Sequence, residues 1–126
     1  MKDFKKYFEI NEETDVIYAA LTNPNTIKVW SGGEAVMSTE PGSEFSLFDD
    51  SIAGKNLEFI EGKMIRQEWY FGDQEDPSIV TIKLHPKGAT GTSIELRHTN
   101  IPDEVYDEMT EGWIHQYFGA LQAFYL

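Results

Sequence analysis

Residues 98–126, HTNIPDEVYDEMTEGWIHQYFGALQAFYL, decide the fold predicted for this chain. Pro102 suits the first position of a helix, and Asp103 and Glu104 would lie at its positive end. From Gly112 onward the stretch has no Asp, Glu, Lys or Arg. Apolar side chains recur every three or four residues, which is the spacing of one helix face. They are Tyr106, Met109, Trp113, Tyr117, Leu121 and Phe124. The pattern predicts a long C-terminal helix whose uncharged half packs on an apolar surface.

Antiparallel strands upstream of this helix are predicted to provide that surface. Residues 78–85 and 91–98 form a hairpin around the turn PKGATG, and in both runs apolar residues alternate with polar ones. Such alternation is typical of an antiparallel sheet that is covered on one side only. Further strands are predicted at residues 3–10, from Val36 onward, and at 45–48, 52–60 and 63–71. The expected sheet therefore has about seven strands.

Two short helices are predicted directly after the first strand. Val16, Ile17, Ala20 and Leu21 form the apolar stripe of one helix, which ends before Pro24 because the residue preceding a proline disfavours the helical conformation. The other helix runs roughly from Pro24 to Trp30 and ends at a Ser-Gly-Gly sequence. With no change in composition and no internal repeat, we expect one α+β domain over residues 1–126.

The composition excludes several classes of protein. The chain has 22 acidic residues against 10 Lys and Arg, a formal net charge of −12. This charge repels phosphate backbones and anionic lipid, so binding to nucleic acid or to membranes is not expected. The absence of cysteine excludes disulfides and thiol chemistry and is compatible with a reducing compartment. The N-terminus has no signal-peptide core, and the uncharged C-terminal run is too short to span a bilayer, so a cytoplasmic protein is expected.

The order of strand, helix pair, strands and long helix resembles the helix-grip fold of the START and birch-pollen-allergen (SRPBCC) superfamily. Within it, the chain is similar to the C-terminal domain of the activator of the HSP-90 chaperone ATPase. Four segments carry this resemblance, with Gly54-Lys55, Trp69 and Gly112-Trp113 as its most specific features. They are IYAALTNPNTIKVW (17–30), SEFSLFDDSIAGKNLEFIEGKMIRQEWYF (43–71), SIVTIKL (78–84) and IPDEVYDEMTEGWIHQYFGALQAF (101–124).

This resemblance implies a curved sheet with a cavity or groove beneath the long helix. It also implies a non-catalytic binding protein, an accessory or stress-related partner of an HSP-90-type chaperone. The resemblance covers only the C-terminal domain of the full activator. The N-terminal domain that supplies the main contact with the chaperone, and its Asn- and Trp-rich motif, have no counterpart in this sequence. More distant relatives bind lipids or act as polyketide cyclases, so a carrier of a small apolar molecule is the second hypothesis and a cyclase-like enzyme the third.

The residues that face the predicted interior define a candidate ligand cavity. They are Trp30, Ile65, Gln67, Trp69, Val80, Ile82, Leu96, His98, Met109, Trp113, Tyr117 and Leu121. Gln67, His98 and the Tyr117 hydroxyl would be its polar groups in otherwise apolar walls. The alternative is that the large aromatic side chains fill this space completely. The acidic residues of the helix, such as Asp107 and Glu108, are either a solvated face or a surface for a basic partner.

The sequence offers no catalytic constellation. His98 shares the inner face with Ile94 and Leu96, where it would act as a general base or as a hydrogen-bonded core residue. His85 belongs to the opposite face, and His115 is turned away from Trp113 on the helix. No spacing matches a metal site, a phosphate loop or a nucleophile elbow. We therefore predict no cofactor and no metal.

Overall fold

The computed structural model describes all of residues 1–126 and shows one six-stranded antiparallel sheet with helices on its concave side. The strands are β1 (Lys2–Ile10), β2 (Glu44–Leu47), β3 (Ile52–Ile60), β4 (Met64–Trp69), β5 (Ser78–Lys87) and β6 (Gly91–Ile101). Two short helices, α1 (Thr14–Thr22) and α2 (Pro24–Ser31), follow β1. The predicted α+β helix-grip architecture is confirmed.

The sheet runs in the order β1-β6-β5-β4-β3-β2, so β1 pairs with the last strand rather than with the next one. The predicted alternation on the central hairpin is confirmed, since Val80, Ile82, Leu96 and His98 are all buried. Lys83, between the buried Ile82 and Leu84, is exposed. The inner face of the sheet is therefore mostly apolar and packs against the helices.

The seventh strand expected from Val36 does not form. Val36 makes only an isolated bridge to Ser46, and a turn at Pro41-Gly42 follows. The turn is closed by the Ser43 hydroxyl, which donates to the Glu40 carbonyl oxygen at 2.6 Å. Pro41 lies within this turn and has no N–H to donate to a neighbouring strand. The local bonding of residues 38–43 therefore replaces a strand ladder.

The C-terminal helix is interrupted, whereas the sequence predicted a uniform one. It consists of a 3₁₀ turn (Asp103–Val105), α3 (Tyr106–Glu111), a π-helical segment (Gly112–Tyr117) and α4 (Phe118–Phe124). In the π-helical segment the bonds reach one residue further, as when the Phe118 N–H donates to the Trp113 carbonyl oxygen. No helix of the chain is both long enough and apolar enough to cross a bilayer.

The spacing of the apolar residues gives a physical reason for the π-helical segment. Met109, Trp113, Tyr117 and Leu121 are four residues apart, but an α-helix completes a turn in 3.6 residues. Each step along this series therefore rotates the side chain about 40° away from the sheet. A π turn holds more residues and absorbs part of that drift. As a result Trp113, Tyr117 and Leu121 are all buried, at 1%, 4% and 0% exposure.

The prediction that the uncharged half of the helix is the buried half is confirmed. No residue of α3 is buried, and its Asp107, Glu108 and Glu111 are exposed. The buried residues all follow Gly112. One position of the predicted stripe is wrong: Phe124 is 43% exposed, because it lies in the last turn of the helix.

Gly119 lies in the first turn of α4, directly after the π-helical segment. A Cβ built at this position would overlap the Ile114 carbonyl oxygen, five residues earlier in the chain. The π turn places this carbonyl oxygen where the Cβ of any residue other than glycine would lie. Gly112, at the start of the segment, has more space, since its Cβ would meet only the Gln116 Oε1 at 3.5 Å.

We predict opposite effects of the same substitution at these two glycines. Gly112→Ala should raise the free energy of unfolding by about 0.5–1 kcal/mol, because alanine is the better helix former. Gly119→Ala should lower it, because the methyl group collides with backbone that cannot move without breaking the π turn. Urea unfolding of both variants measures this. Equal effects at the two positions would show that the π turn does not constrain Gly119.

Trp113→Ala should destabilise the protein by about 3–5 kcal/mol, the usual cost of removing a buried aromatic side chain. Phe124→Ala in the last helical turn is the matched control. It should cost clearly less, since a large part of the Phe124 side chain already contacts solvent. Thermal and urea unfolding would show this difference, and equal losses for both variants would contradict the observed burial.

Candidate functional site

A groove of about 500 Å³ opens between the C-terminal helix and the turn that connects β2 to β3. The helix contributes one wall, the β2–β3 turn contributes the other, and Trp69 of β4 reaches the groove from the sheet. The lining residues are Ser31, Phe48, Ser51, Ile52, Trp69, Glu108, Met109, Gly112, Trp113, Gln116, Tyr117 and Ala120. Its volume lies within the range of roughly 300–1,000 Å³ that is usual for ligand sites.

The groove brings together only part of the predicted cavity. Trp69, Met109, Trp113 and Tyr117 line it. The other eight predicted residues are buried in the core instead: Trp30, Ile65, Gln67, Val80, Ile82, Leu96, His98 and Leu121. Aromatic rings occupy the space between helix and sheet at this level. The Trp113 ring stacks on Trp69 at 4.7 Å between centroids and contacts Tyr117 at 4.6 Å.

His98 is buried and hydrogen-bonded through both ring nitrogens. The Trp113 Nε1–H donates to His98 Nδ1 at 3.0 Å. With Nδ1 as the acceptor, the proton lies on Nε2, which is 2.8 Å from the Ser78 hydroxyl oxygen. The Ser78 hydroxyl in turn donates to the Thr99 carbonyl oxygen at 3.1 Å. This series of hydrogen bonds connects the C-terminal helix to β5 and β6.

Burial lowers the pKa of the His98 imidazole to about 3, against a small opposing effect of the Asp3 carboxylate. A charged imidazole would have to leave water without a carboxylate partner beside it. His98 is 0% exposed and does not line the groove. The structure thus assigns it to the core, and no proton acceptor is available on its ring for a bound molecule.

Gln67 belongs to a second buried network, centred on β3 and β4. Its Oε1 accepts from the Trp69 Nε1–H at 3.0 Å, and its Nε2 donates to the Asn56 Oδ1 at 2.9 Å. The Asn56 amide then donates to the Ser38 carbonyl oxygen at 3.2 Å and to the Ser43 hydroxyl at 3.1 Å. The inward position of Gln67 is confirmed. Its amide is occupied by protein groups.

Tyr117 differs from these two polar residues. Its side chain is only 4% exposed and lines the groove, yet its hydroxyl makes no hydrogen bond to another residue, unlike the indole N–H groups of Trp69 and Trp113. Burial raises the pKa of the Tyr117 phenol, so the group stays protonated and can donate. Of the three polar groups predicted for the cavity, only Tyr117 is free to bind something in the groove.

The wall opposite the helix has an unusual backbone. Phe48, Asp49 and Asp50 have consecutive positive φ angles of 54°, 56° and 67°. Left-handed conformations cost an ordinary residue about 1–2 kcal/mol each, so the turn must be held by its surroundings. The Glu34 N–H donates to the Asp49 Oδ1 at 2.8 Å, and the Ser51 hydroxyl donates to the Phe48 carbonyl oxygen at 2.8 Å.

Sequence reasoning missed this wall and part of the helix face. Gln116 and Ala120 continue the series of Met109 and Gly112 at helical spacing, so the periodicity that selected Trp113 could also have found them. Phe48, Ser51 and Ile52 have no such spacing. The neighbouring Asp-Asp pair is typical of a turn, but it does not show which element the turn will face.

Negative charge surrounds one end of the groove. A shallow acidic depression adjoins the groove and shares Glu108, Gly112 and Gln116 with it. Asp107 and Glu111 line this depression, and no Lys or Arg lines either feature. The carboxylates at this end of the groove are therefore those of Asp107, Glu108 and Glu111. None of the three forms an ion pair within the chain.

Metal-binding geometry is absent from the chain. No group of three or more His, Cys, Asp or Glu side chains lies close enough together to hold an ion. His85 contacts only the Glu95 carboxylate, at 3.1 Å on the outer face of the sheet. This contact lowers the pKa of the Glu95 carboxyl group.

Comparison with known proteins gives consistent matches. The family model described as "Activator of Hsp90 ATPase homolog 1-like protein" matches residues 13–125. The activator of 90 kDa heat shock protein ATPase homolog of Dictyostelium discoideum is 30% identical over 98 residues, which cover 76% of this chain and 26% of that protein. The activator homolog 2 of Mus musculus is 25% identical over 108 residues, covering 85% of this chain and 33% of that protein. The chain thus spans about a quarter to a third of the length of these relatives.

A solved structure matches more completely. The crystal structure of an HSP90 activator from Plasmodium falciparum superposes with a TM-score of 0.90 at 25% identity. The match covers 98% of this chain and 96% of that chain.

The buried His98 predicts a pH dependence of stability. Its folded pKa lies below the ordinary value of 6.5. The imidazole therefore binds a proton near pH 6.5 in the unfolded chain but only near pH 3 in the folded chain. The free energy of unfolding falls as the pH is lowered between these two values. Between about pH 7 and 5 this group alone should remove about 2 kcal/mol of unfolding free energy.

Urea unfolding of the wild type and of His98→Gln at these pH values checks the prediction. Glutamine can accept from Trp113 but does not titrate. The variant should be less stable at neutral pH and should lose less on acidification. If the two unfolding free energies fall in parallel, His98 is not the group responsible.

Proposed function

Because the chain belongs to the Activator of Hsp90 ATPase homolog 1-like protein family, we propose that it is a non-catalytic binding domain that acts as an accessory of an HSP90-type chaperone ATPase. The observation that carries this proposal is the end-to-end match with the Plasmodium falciparum HSP90 activator. The match includes the sheet and the C-terminal helix, and thus the elements that form the groove. We place the protein in the cytoplasm as part of the same proposal.

Binding without catalysis is supported by the state of the polar residues inside the fold. A general base needs a free lone pair within reach of its substrate. Both nitrogens of His98 are bound to other residues, and the residue lies outside the groove. The polyketide-cyclase-like activity that we ranked third would depend on this histidine, so it is the least supported function.

A carrier of a small apolar molecule is the second candidate. The observation in its favour is the unpartnered Tyr117 hydroxyl in an apolar groove, since ligand sites combine apolar walls with a few polar groups. Native mass spectrometry of the purified protein distinguishes this function. A co-purified lipid or aromatic molecule whose occupancy falls in Tyr117→Phe would favour the carrier over the chaperone accessory.

Calorimetric titration with the HSP90-type ATPase of the same organism tests the main proposal. We expect binding in the micromolar range or tighter, together with a change in the ATPase rate. Because the chain spans only part of the length of its curated relatives, the rate change should be measured separately from binding. The outer-face variant Lys83→Glu, remote from the groove, is a control and should bind as the wild type does. A lack of binding at micromolar concentrations would reject the proposal.

A further inference from the structure

We propose that the groove, with its acidic margin, is the docking surface for the partner, and that the partner contributes a cationic amphipathic segment. This segment would place an apolar side chain in the groove and Lys or Arg residues beside the carboxylates. The inference rests on the proposed function, because it names the surface and the chemistry through which the domain binds.

The groove provides the apolar part of the site. Phe48, Ile52 and Met109 lie along it and are only partly buried, while the Trp69 and Trp113 rings form its inner end. Such a surface binds an apolar side chain of a helix or extended segment by removing both from water. The groove is open on one side, so a side chain can enter while its backbone stays outside.

The Tyr117 hydroxyl provides the polar contact. It is the phenol of a side chain that is 4% exposed, and no residue of the chain satisfies it. No buried side-chain nitrogen or oxygen of the chain lacks a hydrogen bond, so this hydroxyl oxygen reaches the open side of the groove. A bound segment can replace water at the hydroxyl with an acceptor of its own. A backbone carbonyl of the bound segment has the required acceptor atom.

The carboxylates determine the charge of the partner. Asp107, Glu108 and Glu111 lie on the helix side of one end of the groove and pair with no base. Most acids of the chain form no ion pair, and these three are distinguished by their place beside an apolar groove that no Lys or Arg lines. Unpaired acids around an apolar surface repel acidic segments and steer basic ones towards it.

A second copy of this chain is the less favoured occupant. Each copy carries a net charge of −12, so two copies repel each other at low ionic strength. The basic residues that could offset this charge are spread over the outer face of the sheet among acids, as in the Lys55–Glu68 and Lys83–Glu95 cross-strand pairs. A cationic partner segment meets no such repulsion.

Charge reversal tests the surface. Glu108→Lys/Glu111→Lys changes the groove margin, and Glu40→Lys/Glu61→Lys makes the same change in net charge at exposed positions outside it. We expect the groove variant to bind the chaperone at least tenfold more weakly and the control variant to bind within about twofold of the wild type. The affinity of the wild type should also fall as the salt concentration rises from about 0.05 M to about 0.5 M.

Tyr117→Phe tests the polar contact, because it removes the hydroxyl and keeps the ring that packs in the core. We expect affinity to fall about three- to tenfold, the contribution of one neutral hydrogen bond. Tyr7→Phe, at an exposed position of β1, is the control and should leave the affinity unchanged.

A second assay separates the groove from the chaperone. The probe is a synthetic amphipathic peptide of Leu and Lys, about 14 residues or four helical turns long, and the comparison is its Leu and Glu analogue. Trp69 and Trp113 line the groove, so binding is followed by tryptophan fluorescence. Only the Lys peptide should shift the emission, and both the Glu108→Lys/Glu111→Lys and Tyr117→Phe variants should weaken this response.

Each outcome decides one of the two proposals. If the wild type binds the chaperone and the groove and control variants bind equally well, the docking surface is wrong and the proposed function stands. If the wild type does not bind the chaperone but the Lys peptide binds as described, the proposed function is wrong and the docking surface stands. Equal peptide binding by all variants, or none, overturns the docking surface. Self-association of the wild type that the groove variant abolishes would also overturn it, in favour of a second copy.

Discussion

The Trp113 side chain connects the two layers of the fold. An indole has a large apolar body and one N–H group, and both must be satisfied when it leaves water. The sheet meets the first need with the stacked Trp69 ring and the second with the Nδ1 of His98. This pairing fixes the position of the helix along and around its axis. The π-helical segment follows from the same constraint, because it keeps Tyr117 and Leu121 directed at the sheet along with Trp113.

The polar groups of the interior differ in whether they are hydrogen-bonded to other residues, and the difference follows their depth in the core. Deep in the core, His98 and Gln67 bind other residues, so they contribute to the uniqueness of the packing rather than to recognition. At the margin of the core, the Tyr117 hydroxyl has no partner within the chain and lines the groove. The carboxylates around this groove are likewise unpaired. A hydroxyl and three carboxylates that bond to no other side chain therefore occur together, next to the aromatic rings of Trp69 and Trp113.

The fold is shared with the family, whereas the surface charges are specific to this chain. Family membership accounts for the sheet, the helix pair and the helix laid across them. The sign and position of the charges are properties of this sequence, in which 22 acids accompany 10 bases. A helix-grip domain can thus keep one architecture while its surface selects the partner. Here the helix brings Glu108 to the groove, with Asp107 and Glu111 beside it, and the left-handed turn contributes Phe48 to the second wall.

The sequence by itself determined the elements whose signals are local or periodic. Alternation predicted the central hairpin and the inward position of His98, and the charge-free run after Gly112 predicted the buried half of the helix. The tertiary structure decided what depends on contacts between distant residues. These are the loss of the strand at Val36, the π-helical segment, and the division of the predicted cavity between packed core and open groove. Periodicity shows which face of an element is buried. It contains no information on how completely side chains from different elements fill the space between them, and that filling determines where a groove remains.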